Sequence, residues 1–452
     1  MAVTQTYSAH TKALLVLGLP LVGSHLAQMS MTVTDTLMLG RYSVEALAAI
    51  TLAGGMYFMI FIVGSGFSLA VMPLVAQAAE KGDEVAIRRV TRMGLWLSFG
   101  YGLLVYIPSF WSETVLLSMG QLPQVAKDAQ TYLRIASLGL IPAMLVMVLK
   151  SYLAALERTQ IVLWATVVAA IVNAGLNYVL IFGNFGAPEL GIKGAAIASL
   201  ILQIFSLATL VIYVRIVLPQ HDLFARLWRP DWQAMFQVFT LGYPIGLTLL
   251  AETALFSGAA IMIGWIGTPE LAAHGIALQW ASVTFMVHLG LSQAATVRAG
   301  RALERDDPFG LRRGAGTVIV LSFIYAVITV AVFLIWPEPL ISLFLDSQDP
   351  ERPLIIPIAV GLLVMAALFQ VVDGAQVVAL GLLRGVQDTK VPMIFAAISY
   401  WGIGMPASLF FGFVLDLGAI GVWLGLVVGL GVAAVLLNWR FWTFGISKGS
   451  AL

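Results

Sequence analysis

Three carboxylic acids lie deep within long apolar stretches of this chain, where a charged side chain is costly. Glu252 stands in the segment TLLAETALFS at 248–257, and Asp35 and Asp373 occupy comparable positions in other apolar stretches. Placing one such group at bilayer depth costs roughly 2.5–3.5 kcal/mol on insertion scales. A helix bundle with a purely structural role would be expected to lose three of them. We therefore interpret the three acids as functional groups.

Amide and hydroxyl side chains accompany Asp35 at helical spacing. Gln28, Thr32 and Asp35 recur at i, i+4 and i+7 and so share one helix face, while Asn173 and Asn177 lie one turn apart in a later stretch. A carboxylate and two amides could bind a small cation through oxygens, or hold a proton. The alternative for the asparagines is hydrogen bonding between packed helices, worth roughly 0.6–2 kcal/mol each. With Asp35 in the same half of the chain, we favour a functional role.

The two acids of the second half have similar polar neighbours along the sequence. Thr248 lies one turn before Glu252, and Asp373 lies on a single stripe with the amides Gln370 and Gln376, at spacings of three residues. The further polar candidates in this half are Gln279, His288, Gln370 and Gln376. Desolvation and mutual repulsion oppose ionisation of two carboxyls that enter one apolar cavity from separate helices. Such a pair can take up a proton near neutral pH, share a sodium ion or attract a cationic substrate. No Lys or Arg lies in the middle of these stretches, so a structural salt bridge has no evident partner.

The composition is that of a polytopic membrane protein. Of the 452 residues, 60% are hydrophobic and 10% charged, whereas a soluble domain has about 45–50% apolar and about 25% charged residues. The net charge of +1 argues against a nucleic-acid partner, and the absence of cysteine excludes disulfides and thiolate sites. No nucleotide-binding or hydrolase motif is present. Uphill transport would therefore have to draw on an ion gradient, and we expect no cofactor.

Twelve apolar stretches have the length of about 20 residues that a membrane-spanning helix needs. The predicted spans are 13–38, 46–78, 92–112, 130–154, 160–183, 192–217, 235–264, 271–297, 315–336, 353–382, 391–415 and 419–443. Placing both chain ends in the cytoplasm assigns 19 of the 24 Lys and Arg residues to the inner side. That asymmetry fits the positive-inside rule. We predict an integral protein of a bacterial inner membrane with cytoplasmic N- and C-termini.

The two halves of the sequence repeat. LGLP at 17–20 matches LGYP at 241–244 with an offset of 224, and GIKGAAIAS at 191–199 resembles GAIGVWLGL at 418–426. With six spans in each copy, both copies enter the membrane from the same side, as in some secondary transporters. The predicted parts are an N-terminal six-helix bundle over 1–217, a cytoplasmic linker over 218–234 and a C-terminal six-helix bundle over 235–452.

Several segments resemble the multidrug and toxic compound extrusion (MATE) transporters, in particular their NorM-like branch. They are LGLPLVGSHLAQMSMTVTDTLMLGRYSVEALAA near the start, then MPLVAQAAEKGD, NAGLNYVLIFG and LGIKGAAIAS. The resemblance implies two pseudo-symmetric six-helix bundles around a central cleft that opens alternately to each side of the membrane. It also implies export of cationic or amphiphilic compounds in exchange for protons or sodium ions.

The resemblance also implies roles for individual residues. By position, Asp35 with Asn173 and Asn177 would form the cation site of the N-terminal lobe, and Glu252 with Asp373 would supply the acids of the C-terminal lobe. Phe369 stands where NorM-like members often have a tyrosine. Its ring offers no oxygen, which weakens a sodium site there and favours a proton. The candidate substrate-cleft residues are Gln28, Thr32, Thr248, Gln279, His288, Phe369, Gln370 and Gln376.

Three other functions compete with drug export. A lipid or polysaccharide-precursor flippase of the same superfamily is the first, although flippases tend to have basic cavities and this chain has acids. An intramembrane enzyme using Glu252 and Asp373 is disfavoured because no nucleophile or metal motif accompanies them. A passive channel would show flux that cannot run uphill. We expect a transporter that is not an enzyme, acts as a monomer in the bilayer and takes small cationic or amphiphilic drugs.

Overall fold

A computed structural model describes residues 6–118, 120–345 and 350–448. Within this part, twelve helices are long and apolar enough to cross a membrane, which confirms the predicted all-α polytopic fold. They are α1 (Tyr7–Tyr42), α2 (Val44–Lys81), α3 (Glu84–Tyr106), α4 (Pro123–Ala155), α5 (Thr159–Phe182), α6 (Ile192–Val217), α7 (Trp232–Ile266), α8 (Thr268–Glu304), α9 (Pro308–Ile335), α10 (Arg352–Gly385), α11 (Lys390–Val414) and α12 (Gly418–Gly445). The two chain ends, which we predict to be cytoplasmic, lie outside the described residues.

Polar residues at the helix ends set where α3 and α9 begin. The side chain of Asp83 accepts the backbone N–H of Ala86 at 2.8 Å, and that of Asp307 accepts the N–H of Gly310 at 2.7 Å. Such N-caps satisfy donors that have no partner inside the helix. Before Asp83, Gly82 ends α2 in the left-handed conformation with φ of 71°. The two aspartates occupy equivalent positions of the repeat, so the repeat extends to the helix ends.

Contacts divide the chain into two units, which do not coincide with the predicted lobes. The carboxy-terminal unit comprises Met1–Val22 with Leu247–Leu452, and the amino-terminal unit is Gly23–Gly246. Both boundaries fall inside a helix, α1 or α7, whereas the prediction divided the chain once, at the polar connection 218–234.

Close backbone contacts explain both boundaries. In the carboxy-terminal unit, a Cβ atom added to Gly290 of α8 would lie 2.8 Å from the backbone nitrogen of Val22. In the amino-terminal unit, one added to Gly66 of α2 would lie 2.4 Å from the carbonyl oxygen of Gly242 and 2.4 Å from the nitrogen of Gly246. In both α1 and α7, the first part of the helix therefore packs within one unit and the rest of the helix packs within the other.

The polar connection after α6 is attached to α3 within the amino-terminal unit. Arg92 Nε donates to the carbonyl oxygen of Leu223 at 2.7 Å, and Trp96 Nε1 donates to that of Leu227 at 2.7 Å. We call residues 218–231 the linker segment. Because α3 side chains satisfy carbonyl oxygens along it, the linker segment is a fixed part of the unit rather than a free tether.

Two titratable side chains of the linker segment add further attachments. Asp231 forms a salt bridge with Arg89, and this hydrogen-bonded contact lowers the pKa of Asp231. His221 is buried and shares a hydrogen bond with the Tyr152 hydroxyl of α4. Burial lowers the pKa of His221, because desolvation disfavours the charged imidazolium. The linker segment therefore holds an ionised acid and a neutral histidine at neutral pH.

Small residues allow α8 and α10 to approach closely in the carboxy-terminal unit. A Cβ atom added to Gly381 would lie 2.3 Å from Ser292 Oγ. Ser292 Oγ donates to the carbonyl oxygen of Val377 at 2.6 Å, and Thr296 Oγ1 donates to that of Gly381 at 2.8 Å. These contacts between side-chain hydroxyls and backbone fix α10, which carries Asp373, against α8.

Helix α11 departs from regular α-helical geometry and packs against a glycine stripe on α12. Residues Ile398–Gly404 form a wider π-helical segment. A Cβ atom added to Gly429 would lie 2.7 Å from Gly404 Cα, and one added to Gly425 would lie 2.2 Å from the nitrogen of Ser408. Only glycine permits this approach, so the stripe determines where the π-helical segment lies.

Candidate functional site

The structure brings Asp35, Asn173 and Asn177 together. Helix α1 supplies Asp35 and α5 supplies both asparagines, whose side chains are buried. Asp35 Oδ1 accepts a hydrogen bond from Asn173 Nδ2 at 2.7 Å and another from Asn177 Nδ2. The prediction that these three residues can act together is thus consistent with their geometry.

The oxygen atoms of this cluster suit a hard cation or a proton. Among the described residues, the Oδ1 atoms of Asn173 and Asn177 are buried and have no hydrogen-bond partner. Buried acceptors without donors are costly unless a cation or a donor satisfies them. Carboxylate and amide oxygens are the ligands that hard cations prefer. Gln28 and Thr32, in contrast, are exposed on α1 and make no contact with Asp35 that the structure records.

Glu252 of α7 lies in a second cluster with Asp373 and Gln376 of α10. Gln376 Nε2 donates to Glu252 Oε1 at 3.3 Å and to the hydroxyl of Tyr400 in α11 at 2.6 Å. All four side chains are buried, with exposures from 0% for Gln376 and Tyr400 to 7% for Glu252. Glu252 acts electrostatically on Asp373, whose Oδ1 atom has no hydrogen-bond partner among the described residues. Three helices therefore converge on a carboxyl pair.

Arg384 is a basic residue whose interaction with Glu252 the sequence did not predict. It is one of the cations that the predicted topology places on the cytoplasmic side, outside the middle of the apolar stretches. In the structure Arg384 lies in the last turn of α10, is 7% exposed, and acts electrostatically on both Glu252 and Tyr400. Its position at the end of the helix hid its proximity, since spacing along one helix does not show how far a long side chain reaches.

The remaining cleft candidates occupy different surroundings. Gln370 Nε2 donates to the carbonyl oxygen of Ala281 at 3.2 Å, and His288 Nδ1 shares a hydrogen bond with Ser322 Oγ at 2.8 Å. Both side chains are fully buried at 0% exposure. The structure therefore places them in contacts between helices, and a substrate would reach them only in a conformation that exposes them.

Phe369 lies in an aromatic cluster. Its ring packs edge-on against Phe256 and against Trp423, with centroids 5.8 Å and 5.7 Å apart. Thr248 is buried on α7, and Gln279 is half-buried on α8. Phe369 therefore contributes apolar packing next to the acidic cluster and supplies no oxygen to it.

Tyr400 is the functional candidate that the sequence analysis missed. It shares no helical spacing with Gln376, because the two residues lie on different helices, and the apolar run around it resembles the other spans. The available signal was the phenol itself, because a buried tyrosine hydroxyl usually has a hydrogen-bond partner.

In the described part of the chain, no group of three or more His, Asp or Glu residues could hold a metal ion.

Comparison with known sequences identifies close relatives. The family model MatE matches residues 20–179 and 244–410, so its two copies begin at the repeat-related prolines Pro20 and Pro244. A probable multidrug resistance protein NorM from Rhizobium meliloti is 47% identical over 439 residues, covering 96% of this chain and 94% of the relative. Its counterpart from Agrobacterium fabrum is 46% identical over 438 residues, with the same coverage of both chains.

Solved structures share the fold. The eukaryotic MATE transporter AtDTX14 superposes with a TM-score of 0.88 at 18% identity, covering 98% of each chain. A multidrug resistance MATE family transporter of the MOP superfamily, in an outward-facing conformation, superposes with a TM-score of 0.87 at 20% identity, covering 98% of this chain and 97% of that one. At these identities the likeness concerns the fold alone.

Proposed function

The chain belongs to the MatE family of membrane transporters, and we propose that it exports cationic or amphiphilic compounds in exchange for protons or sodium ions. As a transporter it moves its substrates across the membrane and does not convert them. Its NorM relatives are named as probable multidrug resistance proteins, which supports multidrug efflux. The acidic clusters support the finer proposal of cation exchange.

The observation that carries this proposal is the burial of Glu252 and Asp373 as an interacting pair. Two ionised carboxylates in a medium of low dielectric constant repel each other much more strongly than in water. A proton, a sodium ion or a cationic drug would each relieve that repulsion. Because any of these cations satisfies the same need, coupling ion and drug would compete for one pair of acids.

Competition of this kind would produce exchange across the membrane. High ion activity outside would load the acids and favour release of the drug there. On the cytoplasmic side the acids would lose the ion and bind a cationic drug again. A ligand shifts a conformational equilibrium only by its difference in affinity for the two states. Ion and drug must therefore also favour different conformations, or exclude each other from the acids.

The proposed setting is a bacterial inner membrane, with both chain ends in the cytoplasm and the protein acting as a monomer. Lys and Arg residues concentrated on one side of the predicted topology support the orientation. The relatives named above are bacterial. The coupling ion is cargo that enters and leaves with each cycle, and no resident cofactor is proposed.

Ethidium efflux from proteoliposomes tests this function. Purified protein is reconstituted, and efflux is driven by a pH gradient alone and then by a sodium gradient alone. We expect one gradient to drive uphill efflux by the wild type, and Asp35→Asn, Glu252→Gln and Asp373→Asn each to reduce the rate at least tenfold. Asp128→Asn, an acid near the start of α4 outside both clusters, serves as the matched control and should retain the wild-type rate.

Efflux that persists in all three variants would refute the carboxylate mechanism. If neither gradient drives flux of any cation, the flippase becomes the better explanation, and lipid translocation would be measured next. Flux that never runs uphill would indicate a passive channel.

A further inference from the structure

The side-chain amide of Gln376 links Glu252 to Tyr400. A primary amide nitrogen carries two hydrogens, and here one is donated to Glu252 Oε1 at 3.3 Å and the other to the Tyr400 hydroxyl at 2.6 Å. With both donors engaged, the amide cannot rotate without breaking a hydrogen bond. The shorter contact is the one to Tyr400, so the tyrosine is a second anchor that restrains the amide.

Tyr400 is itself fixed by its helix. It lies in the π-helical segment Ile398–Gly404 and is fully buried. The contact between Gly404 and Gly429 holds that segment against α12, where added side chains would collide with backbone. Single π-helical turns within helices occur frequently at functional sites. Backbone packing therefore holds the segment that carries Tyr400, and full burial restrains its side chain.

We propose that Tyr400 and Gln376 are positioning residues, which orient the Glu252 carboxyl for binding the coupling ion. This inference rests on the proposed function, because it assigns a task to two neighbours of an acid that exchanges ions. Neither residue needs to touch the ion. Tyr400 holds the amide, and the amide holds Glu252 Oε1, so that the carboxyl is in place before the ion arrives.

The surroundings of Glu252 show why its orientation needs support. Glu252 interacts electrostatically with Asp373 of α10 and with Arg384 in the last turn of the same helix, and these two side chains carry opposite charges when ionised. The two histidines of α8, His274 and His288, form hydrogen bonds with Trp423 and Ser322 instead. Without the Tyr400 hydroxyl, the amide could rotate and turn its oxygen towards the carboxyl. Two oxygens would then face each other, and the ion would bind a disordered carboxyl.

The test compares ion dependence with drug dependence in proteoliposomes of the full-length protein. The driving ion, identified in the efflux experiment above, is varied at saturating ethidium, and ethidium is varied at saturating ion. We expect Tyr400→Phe to raise the half-saturating ion concentration about tenfold and the KM for ethidium by no more than about twofold, because a small ion needs a precisely placed oxygen atom whereas a bulky cation is attracted by the charge of the pair. The maximal rate should stay within about twofold. Gln376→Met should shift the ion dependence equally, and the double variant should shift it no further.

Tyr101→Phe is the matched control. Its hydroxyl donates to the carbonyl oxygen of Ile60 at 2.7 Å in the amino-terminal unit, so it also loses one hydrogen bond within a membrane helix. The ion dependence of this variant should equal that of the wild type. If Tyr400→Phe does not give a monodisperse protein on size-exclusion chromatography, Gln376→Met carries the test with the same expected shift.

Two results would overturn the inference. One is an unchanged ion dependence in the folded Tyr400 and Gln376 variants, and the other is an equal effect on ion and drug dependence, which a general loss of structure would produce. Glu252→Gln is measured in parallel. If Glu252→Gln abolishes efflux while Tyr400→Phe behaves as wild type, only the positioning role fails. If Glu252→Gln retains wild-type efflux and ion dependence, the proposed role of Glu252 in ion exchange fails, and the positioning role fails with it.

Discussion

At the scale of single residues, both clusters use amide side chains to hold an acid that lies within a membrane-spanning helix. Asn173 and Asn177 donate to the same oxygen of Asp35, and Gln376 donates to Glu252. Hydrogen bonds to a charged group contribute about 1.5–3 kcal/mol, more than those between neutral groups. An amide is also neutral, so it orients the acid without neutralising it as a lysine or arginine would. The acid stays available for a mobile cation.

The Asp35 cluster gives a prediction for Asn177. Replacing it with alanine removes one donor to Asp35 and one buried carbonyl oxygen. We expect Asn177→Ala to raise the ion concentration needed for half-maximal ethidium efflux about tenfold, corresponding to about 1.4 kcal/mol. Asn184→Ala, which removes a hydrogen bond to the carbonyl oxygen of Tyr178 at the end of α5, should leave that concentration unchanged. Equal ion dependence in the two variants would contradict the role assigned to Asn177.

The sequence could identify the acids but only some of their partners. Asp35, Glu252 and Asp373 are visible because a carboxyl in an apolar run is costly in any bilayer. Asn173 and Asn177 can be recognised because polar side chains stand out in an apolar run and because the two residues lie one turn apart. Tyr400 and Arg384 were not recognised, because an apolar run accommodates tyrosine easily and the reach of an arginine depends on tertiary packing. Contacts between helices are not encoded in the periodicity of either helix.

At the scale of elements, the linker segment is held by side chains of α3 and α4. The attachments from Arg92 and Trp96 go to its backbone, and those of His221 and Asp231 involve its own side chains. Sequence analysis predicted a polar connection here from composition alone. It could not predict the attachment, because the cationic and aromatic partners on α3 precede the linker segment by about 130 residues.

This attachment should weaken in mild acid through His221. Its pKa is lowered in the folded state, so a detached segment binds more protons as pH falls through the ordinary histidine value of about 6.5. The stabilisation of the attached linker segment by neutral His221 is fully present above that pH and decreases below it. Asp231 does not contribute in this window, because its depressed pKa means that its stabilisation is lost only below the ordinary aspartate value of about 3.9.

Hydrogen–deuterium exchange of residues 218–231 measures the effect. After correction for intrinsic exchange rates, protection should fall several-fold between pH 7.5 and pH 5.5 in the wild type. In His221→Gln, which cannot titrate, protection should be the same at both pH values. A pH response that persists in that variant would show that another group controls the linker segment.

At the scale of the whole molecule, the twelve predicted spans each overlap one observed helix. Most helices extend past the predicted limits, because capped polar turns continue the helix beyond the apolar run. The sequence did not predict that the units divide within α1 and α7. Hydropathy marks where a helix enters and leaves the membrane, and it carries no information about which neighbours each half of the helix contacts.

The predicted orientation can be tested with single cysteines, because the native chain has none. Lys127→Cys lies in an exposed position predicted to face outward, and Arg229→Cys lies in an exposed position predicted to face the cytoplasm. A membrane-impermeant maleimide should label Lys127→Cys in intact cells and Arg229→Cys only after permeabilisation. Each variant removes one cation, so the pair is matched in charge. The reverse labelling pattern would invert the topology.

The two unit boundaries occupy equivalent positions of the internal repeat, after Val22 in the first copy and after Gly246 in the second. Each copy therefore gives the opening part of its first helix to the unit formed mainly by the other copy. A single copy could not complete its own bundle, which is the situation of a domain-swapped dimer. A protein consisting of one copy alone would need a second molecule of itself in the membrane. In this chain both copies are present, so that mutual dependence is met within one molecule.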